Sequence, residues 1–195
     1  MWARSYANLY TMAKARAVFL DRDGTLNVDP GYINHPDQMI LLPGVGAALA
    51  SLKKAGFWLI VVSNQSGVGR GIIKAEDLPK IHARLDELLA PSRVKIDQYQ
   101  FCVHRPEEGC RCRKPGIKLL EDAARAYDLD LHRSYMVGDK VLDLGAGRNA
   151  GCAASILVRT GHGAVTEKDL RPGEADYVGD SLAEAAAWIL RRETP

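Results

Sequence analysis

No run in these 195 residues approaches the roughly 18 consecutive apolar positions that a bilayer span demands. The first sixteen residues, MWARSYANLYTMAKAR, lack both a continuous apolar segment and a small-residue cleavage site, so they do not read as a secretory signal. An excess of one charge is missing too: 26 Lys and Arg against 24 Asp and Glu leave a formal net charge of +2. Such balance argues against broad adhesion to nucleic acid or to a membrane surface. There is no internal repeat and no low-complexity segment, and cysteine is scarce, four in all. These absences predict a cytoplasmic protein acting on a small molecule as a monomer, with no nucleic acid and no membrane among its partners. Residues 1–16 are expected to be an N-terminal tail, with Met12 an alternative start, and residues 17–192 a single domain. A chain that is 47% hydrophobic at this length can bury one sizeable core.

What is present is organised around AVFLDRDGT at 17–25. Four apolar residues run into Asp21, Arg22, Asp23, Gly24 and Thr25, the profile of a strand buried on both faces that stops at a polar turn. If the extended backbone persisted to residue 23, its two-residue period would put Asp21 and Asp23 on one side. Carboxylates so close repel unless a cation or a proton intervenes. An isolated DxDG is equally an Asx-rich turn after a strand, so the rest of the chain has to decide. Residues 26–42, with Pro30, Gly31 and Pro36, read as a flap. A helix is expected over 43–55, a strand over 57–62, a flexible GVGRG connection, and a helix over 74–90. Strands at 98–103, 135–137 and 153–158 alternate with helices at 116–127 and 142–150. A loop with Gly161 and Gly163, an edge strand near Tyr177 and a helix over 181–191 complete the chain.

This alternation predicts an α/β fold, an open parallel sheet of Rossmann type covered by helices on both faces. Ligands of such sheets lie at the carboxyl ends of the strands. Asp21 with Asp23, Ser63 with Asn64, Lys114, and Asp139 all fall at or beyond strand ends, so the fold should gather them on one rim. Asp21 and Asp139, with a backbone carbonyl and waters, are ligands of the kind Mg²⁺ takes. Lys114 and the Ser63 hydroxyl suit phosphoryl oxygens. Asp21 is placed as a nucleophile and Asp23 as the acid and base beside it.

In order, DRDGT (21–25), SNQSG (63–67), RKP (113–115) and GDKVLD (138–143) resemble the four motifs of the haloacid dehalogenase (HAD) superfamily of aspartate-nucleophile phosphatases. More narrowly, DRDGTLNVDPGY, NQSGVGRG, CVHRPEEGCRCRKP and YMVGDKVLD look like the D-glycero-D-manno-heptose 1,7-bisphosphate 7-phosphatases, over roughly residues 17–162. The resemblance implies a HAD-like fold with no cap domain, and hydrolysis of a sugar bisphosphate at C7 through an aspartyl-phosphate. It implies Asp21 as nucleophile, Asp23 as acid/base, and Ser63 and Lys114 as phosphoryl holders. Mg²⁺ would sit on Asp21, Asp139 and the backbone carbonyl of Asp23. Substrate contacts carry over to Asp29, Pro30, Gly31, Tyr32, Asn64, Gln65, Ser66, Arg113 and Lys140. Ser63 stands where relatives often have threonine, and the hydroxyl is kept. The short segment between His104 and Cys110 is comparable with that of histidinol-phosphate phosphatases, a sister group, whereas DPGY and GDK lean toward the heptose enzymes. A histidinol-phosphate phosphatase and a non-catalytic sugar-phosphate binder are the competing readings.

Cys102, His104, Cys110 and Cys112 have the spacing C-x-H-x₅-C-x-C. In a reducing compartment that favours metal over disulfide. Cys₃His closes a tetrahedral shell, so the expected ion is structural Zn²⁺ in a loop just ahead of Arg113 and Lys114. Cys152, beside an apolar strand, reads as a small buried residue. His35, His82, His132 and His162 show no ligand spacing. Asp143, one helical turn beyond Asp139, is expected to orient the metal's waters or Lys140.

Overall fold

A segment apolar at every position is satisfied only where both of its faces are covered, and each such run becomes a strand of one sheet. The computed structural model describes residues 14–193; most of the expected N-terminal tail lies outside them. The strands are β1 (Arg16–Leu20), β2 (Phe57–Asn64), β3 (Gln98–Cys102), β4 (Tyr135–Gly138), β5 (Ala154–Val158) and β6 (Tyr177–Gly179). Among the described residues they form a six-stranded sheet in the order β3-β2-β1-β4-β5-β6, every neighbouring pair parallel. Leu20 pairs with Val61 on one side and Val137 on the other, so the carboxyl ends of β1, β2 and β4 come level.

The helices are α1 (Val45–Lys54), α2 (Ser66–Gly69), α3 (Leu78–Leu89), α4 (Lys118–Ala126), α5 (Val141–Asn149), α6 (Gly163–Thr166) and α7 (Leu182–Glu193). Alternation along the strands sorts the core into two layers. Val18, Leu20, Leu59, Val61, Val137 and Ile156 pack with Leu49 and Leu52 of α1, Ile81 and Leu85 of α3, and Ile189 of α7. Ala17, Phe19, Ile60, Val62 and Met136 face Leu120 and Ala123 of α4 and Ala146 of α5. Each fully buried Leu or Ile contributes about 1.5–3 kcal/mol, so the central strands are the most strongly anchored part of the molecule. That rigidity is what a site at their ends requires.

Three local expectations are corrected. β1 stops at Leu20, because the backbone turns back on itself: Leu26 N–H donates to Arg22 O at 2.8 Å and Gly24 N–H to Asn27 O at 2.8 Å. Asp21 and Asp23 are therefore not paired by the pleat. GVGRG is no flexible connection, since Ser66–Gly69 forms a helical turn. The loop after β5 also contains a helical turn, α6. The flap keeps its irregular character, with one 3-10 turn at Pro36–Gln38. Its base is stitched by Val28 N–H to Ile40 O and Leu42 N–H to Leu26 O, and Ile33 and Met39 bury their side chains in the core.

Candidate active site

Asp21 follows β1, its N–H bonded to Val137 O at 2.9 Å. Its Oδ1 accepts from Lys114 Nζ at 2.6 Å. Lys114 is only 2% exposed, and its ammonium also donates to Val62 O at 2.6 Å and pairs with Asp143 Oδ1 at 2.7 Å. Burial works against the Lys114 charge, but Asp143 first and Asp21 second overcome it and raise its pKa. Asn64 grips the Lys114 peptide from both sides, accepting from its N–H at 3.0 Å and donating to its C=O at 3.3 Å. The residue after Ser63 thus fixes the lysine that faces Asp21.

Asp23 is turned toward a different set of partners. Arg22 Nε and Nη2 donate to its two oxygens at 2.9 and 2.8 Å, Asn27 Nδ2 to Oδ1 at 3.0 Å, and Gln65 Nε2 to Oδ2 at 2.9 Å. Burial pushes the Asp23 pKa up, and the Arg22 charge with these hydrogen bonds outweighs it, leaving the group below the usual carboxylate range. The two aspartates of DRDG therefore live in opposite environments: burial drives Asp21 up to about 7 against the pull of Lys114, with Asp143 and Asp139 adding repulsion.

Asp139, at the end of β4, is fully buried. Gly24 and Gly161, both at positive φ, wall it in. A Cβ on either would come within 2.2 or 2.4 Å of Asp139 Oδ2, so only glycine permits this approach. Asp139 Oδ2 accepts the His162 N–H at 2.8 Å, while its buried Oδ1 has no partner. Ligand oxygens of Asp21, Asp139 and Asp143 lie within 4.8 Å of one another. Three carboxylates share that space with the buried Lys114 ammonium, and Lys140 Nζ approaches Asp139 Oδ2 from the rim at 3.9 Å. The unpartnered Asp139 Oδ1 among three carboxylates fits a small hard cation held by oxygen.

A cavity of about 90 Å³ opens on this cluster, lined by Asp21, Asp23, Asp29, Gly31, Ser63, Asn64, Lys114 and Lys140, with Leu142 and Asp143. Asp29 is tied in by Lys140 Nζ at 3.1 Å and by its own Oδ1, which accepts the Gly31 N–H at 2.8 Å. Pro30 and Tyr32 sit exposed on the flap and Ser66 opens α2, none of them lining the cavity. Arg113 lines an adjoining cavity of about 340 Å³ that shares Lys114 and Leu142, and one of its guanidinium nitrogens has no partner. Gln65 is buried, its amide used on Asp23 and, at 2.8 Å, on Ser63 Oγ.

The sequence reading missed Arg22, a wholly buried arginine, and Asn27. The signal was there in part: an arginine between two aspartates, with an asparagine four residues on, offers local partners for Asp23. It also passed over His162, whose Nδ1 lies 3.5 Å from Asp29 and 3.6 Å from Asp139; no spacing in the chain announces that contact. Asp143 takes the Lys140 N–H at 3.0 Å, as expected, and the Lys114 ammonium as well. His35 instead caps the turn at Pro36–Gln38. Cys152 is only partly buried against the layer that holds Met136 and Ala146, less enclosed than expected, and that burial raises its thiol to about 12.

Beyond β3, Cys102 Sγ lies 3.4 Å from Cys110 Sγ and 2.8 Å from Cys112 Sγ, and His104 Nδ1 lies 3.2 Å from Cys112 Sγ. The four ligand atoms converge within 4.8 Å, the donor set and compactness of a tetrahedral zinc shell.

The family model described as HAD-hydrolase-like matches residues 111–185. The chain is 41% identical over 183 residues to the D-glycero-beta-D-manno-heptose-1,7-bisphosphate 7-phosphatase of Haemophilus influenzae, covering 91% of this chain and 97% of that one. It is 42% identical over 192 residues to the D-glycero-D-manno-heptose-1,7-bisphosphate 7-phosphatase of Thermosynechococcus vestitus, covering 92% and 97%. In three dimensions it is similar to the D,D-heptose 1,7-bisphosphate phosphatase of B. bronchiseptica, solved with magnesium and phosphate. The TM-score is 0.85 at 38% identity, over 91% of this chain and 99% of that one.

Proposed function

The chain belongs to the D,D-heptose 1,7-bisphosphate 7-phosphatases of the HAD-like hydrolases, and from that we propose that it removes the C7 phosphate of D-glycero-D-manno-heptose 1,7-bisphosphate through a phosphoenzyme on Asp21. The observation that carries this reading is the Asp21–Lys114 contact of 2.6 Å inside a cavity that also holds Asp23 and Ser63. Asp21 Oδ attacks phosphorus as the bond to the sugar C7 oxygen breaks, and Asp23 delivers a proton to that oxygen. Water then attacks the phosphoenzyme, Asp23 takes its proton, and inorganic phosphate leaves with Asp21 restored. Lys114 and Ser63 hold the non-bridging oxygens, and Asn64 keeps Lys114 in register. Asp21, Asp139 and the Asp23 carbonyl would hold Mg²⁺, which when bound neutralises charge on the phosphoryl group and on the carboxylates. Cys102, His104, Cys110 and Cys112 would hold structural Zn²⁺ and so brace the segment that carries Arg113 and Lys114.

Substrate contacts beyond the reacting phosphate fall to Asp29, Pro30, Gly31, Tyr32, Ser66, Arg113 and Lys140. A rim with Lys140 and an unsatisfied Arg113 suits a second phosphate better than the ammonium of histidinol phosphate. The protein works as a cytoplasmic monomer, one domain over 17–192, on a small sugar phosphate; no helix among the described residues is long and apolar enough to cross a membrane. The test is kcat/KM for both heptose bisphosphate anomers and for histidinol phosphate, with and without Mg²⁺. Preference for a heptose bisphosphate that collapses without Mg²⁺ supports the proposal. Equal or better turnover of histidinol phosphate overturns the substrate.

A further inference from the structure

The cavity that holds Asp21 and Ser63 measures about 90 Å³, well below the roughly 300 Å³ at which a pocket begins to enclose a small molecule. It accommodates a phosphoryl group, and the alcohol half of a substrate has to lie outside it. Two larger cavities adjoin. One, of about 340 Å³, lies on the zinc-loop side and carries Arg113 with Pro106, Gly109 and Cys110. The other, of about 430 Å³, lies between the start of α5 and the α6 segment. Val141, Val165 and Leu170 form its apolar wall, and its Arg171 and Glu174 pair with each other at 3.1 Å. Leu142 lines all three cavities, and among the described residues no other does. Helix geometry puts it there. Successive α5 side chains turn by about 100° and lean back toward the helix N-terminus, which is the rim at Asp139 and Lys140. Val141 lines the apolar cavity and Asp143 the catalytic one, and Leu142, between them, stands at the junction. The other wall common to those two cavities is Lys140, whose ammonium is tied to Asp29 Oδ2 at 3.1 Å.

We propose that Leu142 is a specificity-determining residue that selects charged sugar phosphates over phosphate monoesters with an aromatic body, an inference that rests on the phosphatase reading. Its side chain closes the catalytic cavity toward the apolar one, so the alcohol half of a bound ester is directed to the Arg113 side. There it meets a guanidinium nitrogen without a partner, which suits an alcohol that carries a second negative charge. An aromatic alcohol has nothing to offer that guanidinium. The space that would bury its ring lies behind Leu142. Selection therefore works by exclusion as well as by attraction: one apolar side chain withholds the larger cavity from competing esters, and shortening it joins the two spaces.

The experiment measures kcat and KM with Mg²⁺ for heptose bisphosphate and for 1-naphthyl phosphate, in wild type, Leu142→Ala, Leu142→Met and Leu142→Ala/Val165→Glu. Leu142→Ala raises kcat/KM on the aryl ester about 10-fold, at the lower end of what a change in apolar pocket volume discriminates, with no gain on the bisphosphate. The gain falls on KM, because an apolar contact remote from phosphorus is made equally in the ground state and the transition state. Leu142→Met keeps the volume, and its ratio of the two esters stays within about threefold of wild type. Val165→Glu places a carboxylate in the apolar cavity and removes the gain of Leu142→Ala. On its own Val165→Glu leaves turnover of the bisphosphate unchanged, since Val165 is 62% exposed and lines neither of the other two cavities. A ratio in Leu142→Ala within about threefold of wild type, parallel losses on both esters, or a gain that survives Val165→Glu overturns the inference. So does equal wild-type turnover of the two esters. Leu142→Val replaces Leu142→Ala if the latter does not fold, with an expected shift of about fivefold. Failure of both to fold in a thermal melt would make Leu142 a packing residue and overturn the inference. If the wild type rejects heptose bisphosphate and hydrolyses histidinol phosphate, the substrate assignment falls, and the same ratios taken against that ester decide the role of Leu142. Wild-type turnover of none of these esters ends the phosphatase reading and the inference with it.

Discussion

Replacing Asp143 with alanine takes away the principal counter-ion of Lys114. Asp143 is 2% exposed, its Oδ1 lies 2.7 Å from Lys114 Nζ, and its Oδ2 accepts the Lys140 N–H at the start of α5. Removing one partner of a buried ion pair costs roughly 3–5 kcal/mol, and losing a helix-capping acceptor adds about 1 kcal/mol. Lys114 keeps Asp21 and Val62 O, so the sum belongs at the lower end, about 4 kcal/mol. For a chain of this size each kcal/mol moves Tm by roughly 2–4 °C, which gives a fall of about 8–16 °C. Asp143→Asn separates the contributions: it keeps an acceptor for the Lys140 N–H and loses only the charge, so its Tm should lie between that of wild type and that of Asp143→Ala. Calorimetry without added divalent ion keeps changes in ion binding out of the comparison. Activity should drop about 100-fold in both variants, because Lys114 loses the carboxylate it shares with Asp21 and its charge falls wholly on the nucleophile. A Tm for Asp143→Ala within 2 °C of wild type, roughly 1 kcal/mol or less, would refute the reasoning.

Three further outcomes are expected. Asp21→Asn should abolish turnover and leave no acid-stable phosphoenzyme after rapid quench; measurable steady-state activity would end the nucleophile assignment. Cys110→Ser should lower zinc content below one ion per chain and expose the 102–112 loop to protease, with activity falling as Arg113 and Lys114 lose their brace; full activity in metal-stripped protein contradicts it. His82 is buried and stacked on Tyr99 at 4.3 Å, and burial, with Arg22 adding to it, lowers its pKa to about 4. The unfolded chain therefore binds the extra proton between about pH 6.5 and 4, so stability is fully present above that window and lost as pH falls through it. The loss is about 3 kcal/mol at most. His82→Phe should flatten that part of the denaturation profile, and identical profiles for the two proteins would count against the assignment.

The sheet was legible because its central strands carry unbroken apolar runs, Ala17–Leu20, Phe57–Val62 and Tyr135–Val137, and the rim was legible because each of those runs stops at a polar cluster. Level strand ends then follow from parallel pairing, which is how Asp21, Ser63 and Asp139 meet. The turn after Leu20 was not legible. A two-residue period extrapolates a strand, but Arg22 O accepts hydrogen bonds from Thr25, Leu26 and Asn27, and Asp23 is enclosed in this tight loop rather than carried on an extended strand. Nor could spacing reveal His162 or the buried Arg22. Both contacts depend on which loops the fold brings together, and burial of an arginine contradicts the composition-level expectation that charge lies outside.

That contradiction explains why two aspartates two residues apart behave differently. A carboxylate's proton affinity is set by what surrounds it, and DRDG supplies its own asymmetry: the arginine turns back onto Asp23, whereas Asp21 faces Lys114, which Asp143 also claims. Asp23 has a dedicated cation and two amide donors. Asp21 has half a cation and two neighbouring carboxylates. The opening pair is thus two sites with separate electrostatics, one closed by its own cation and the other left short of positive charge. Only the second has charge to offer to a metal ion, and it is also the one that Lys114 keeps turned toward the cavity.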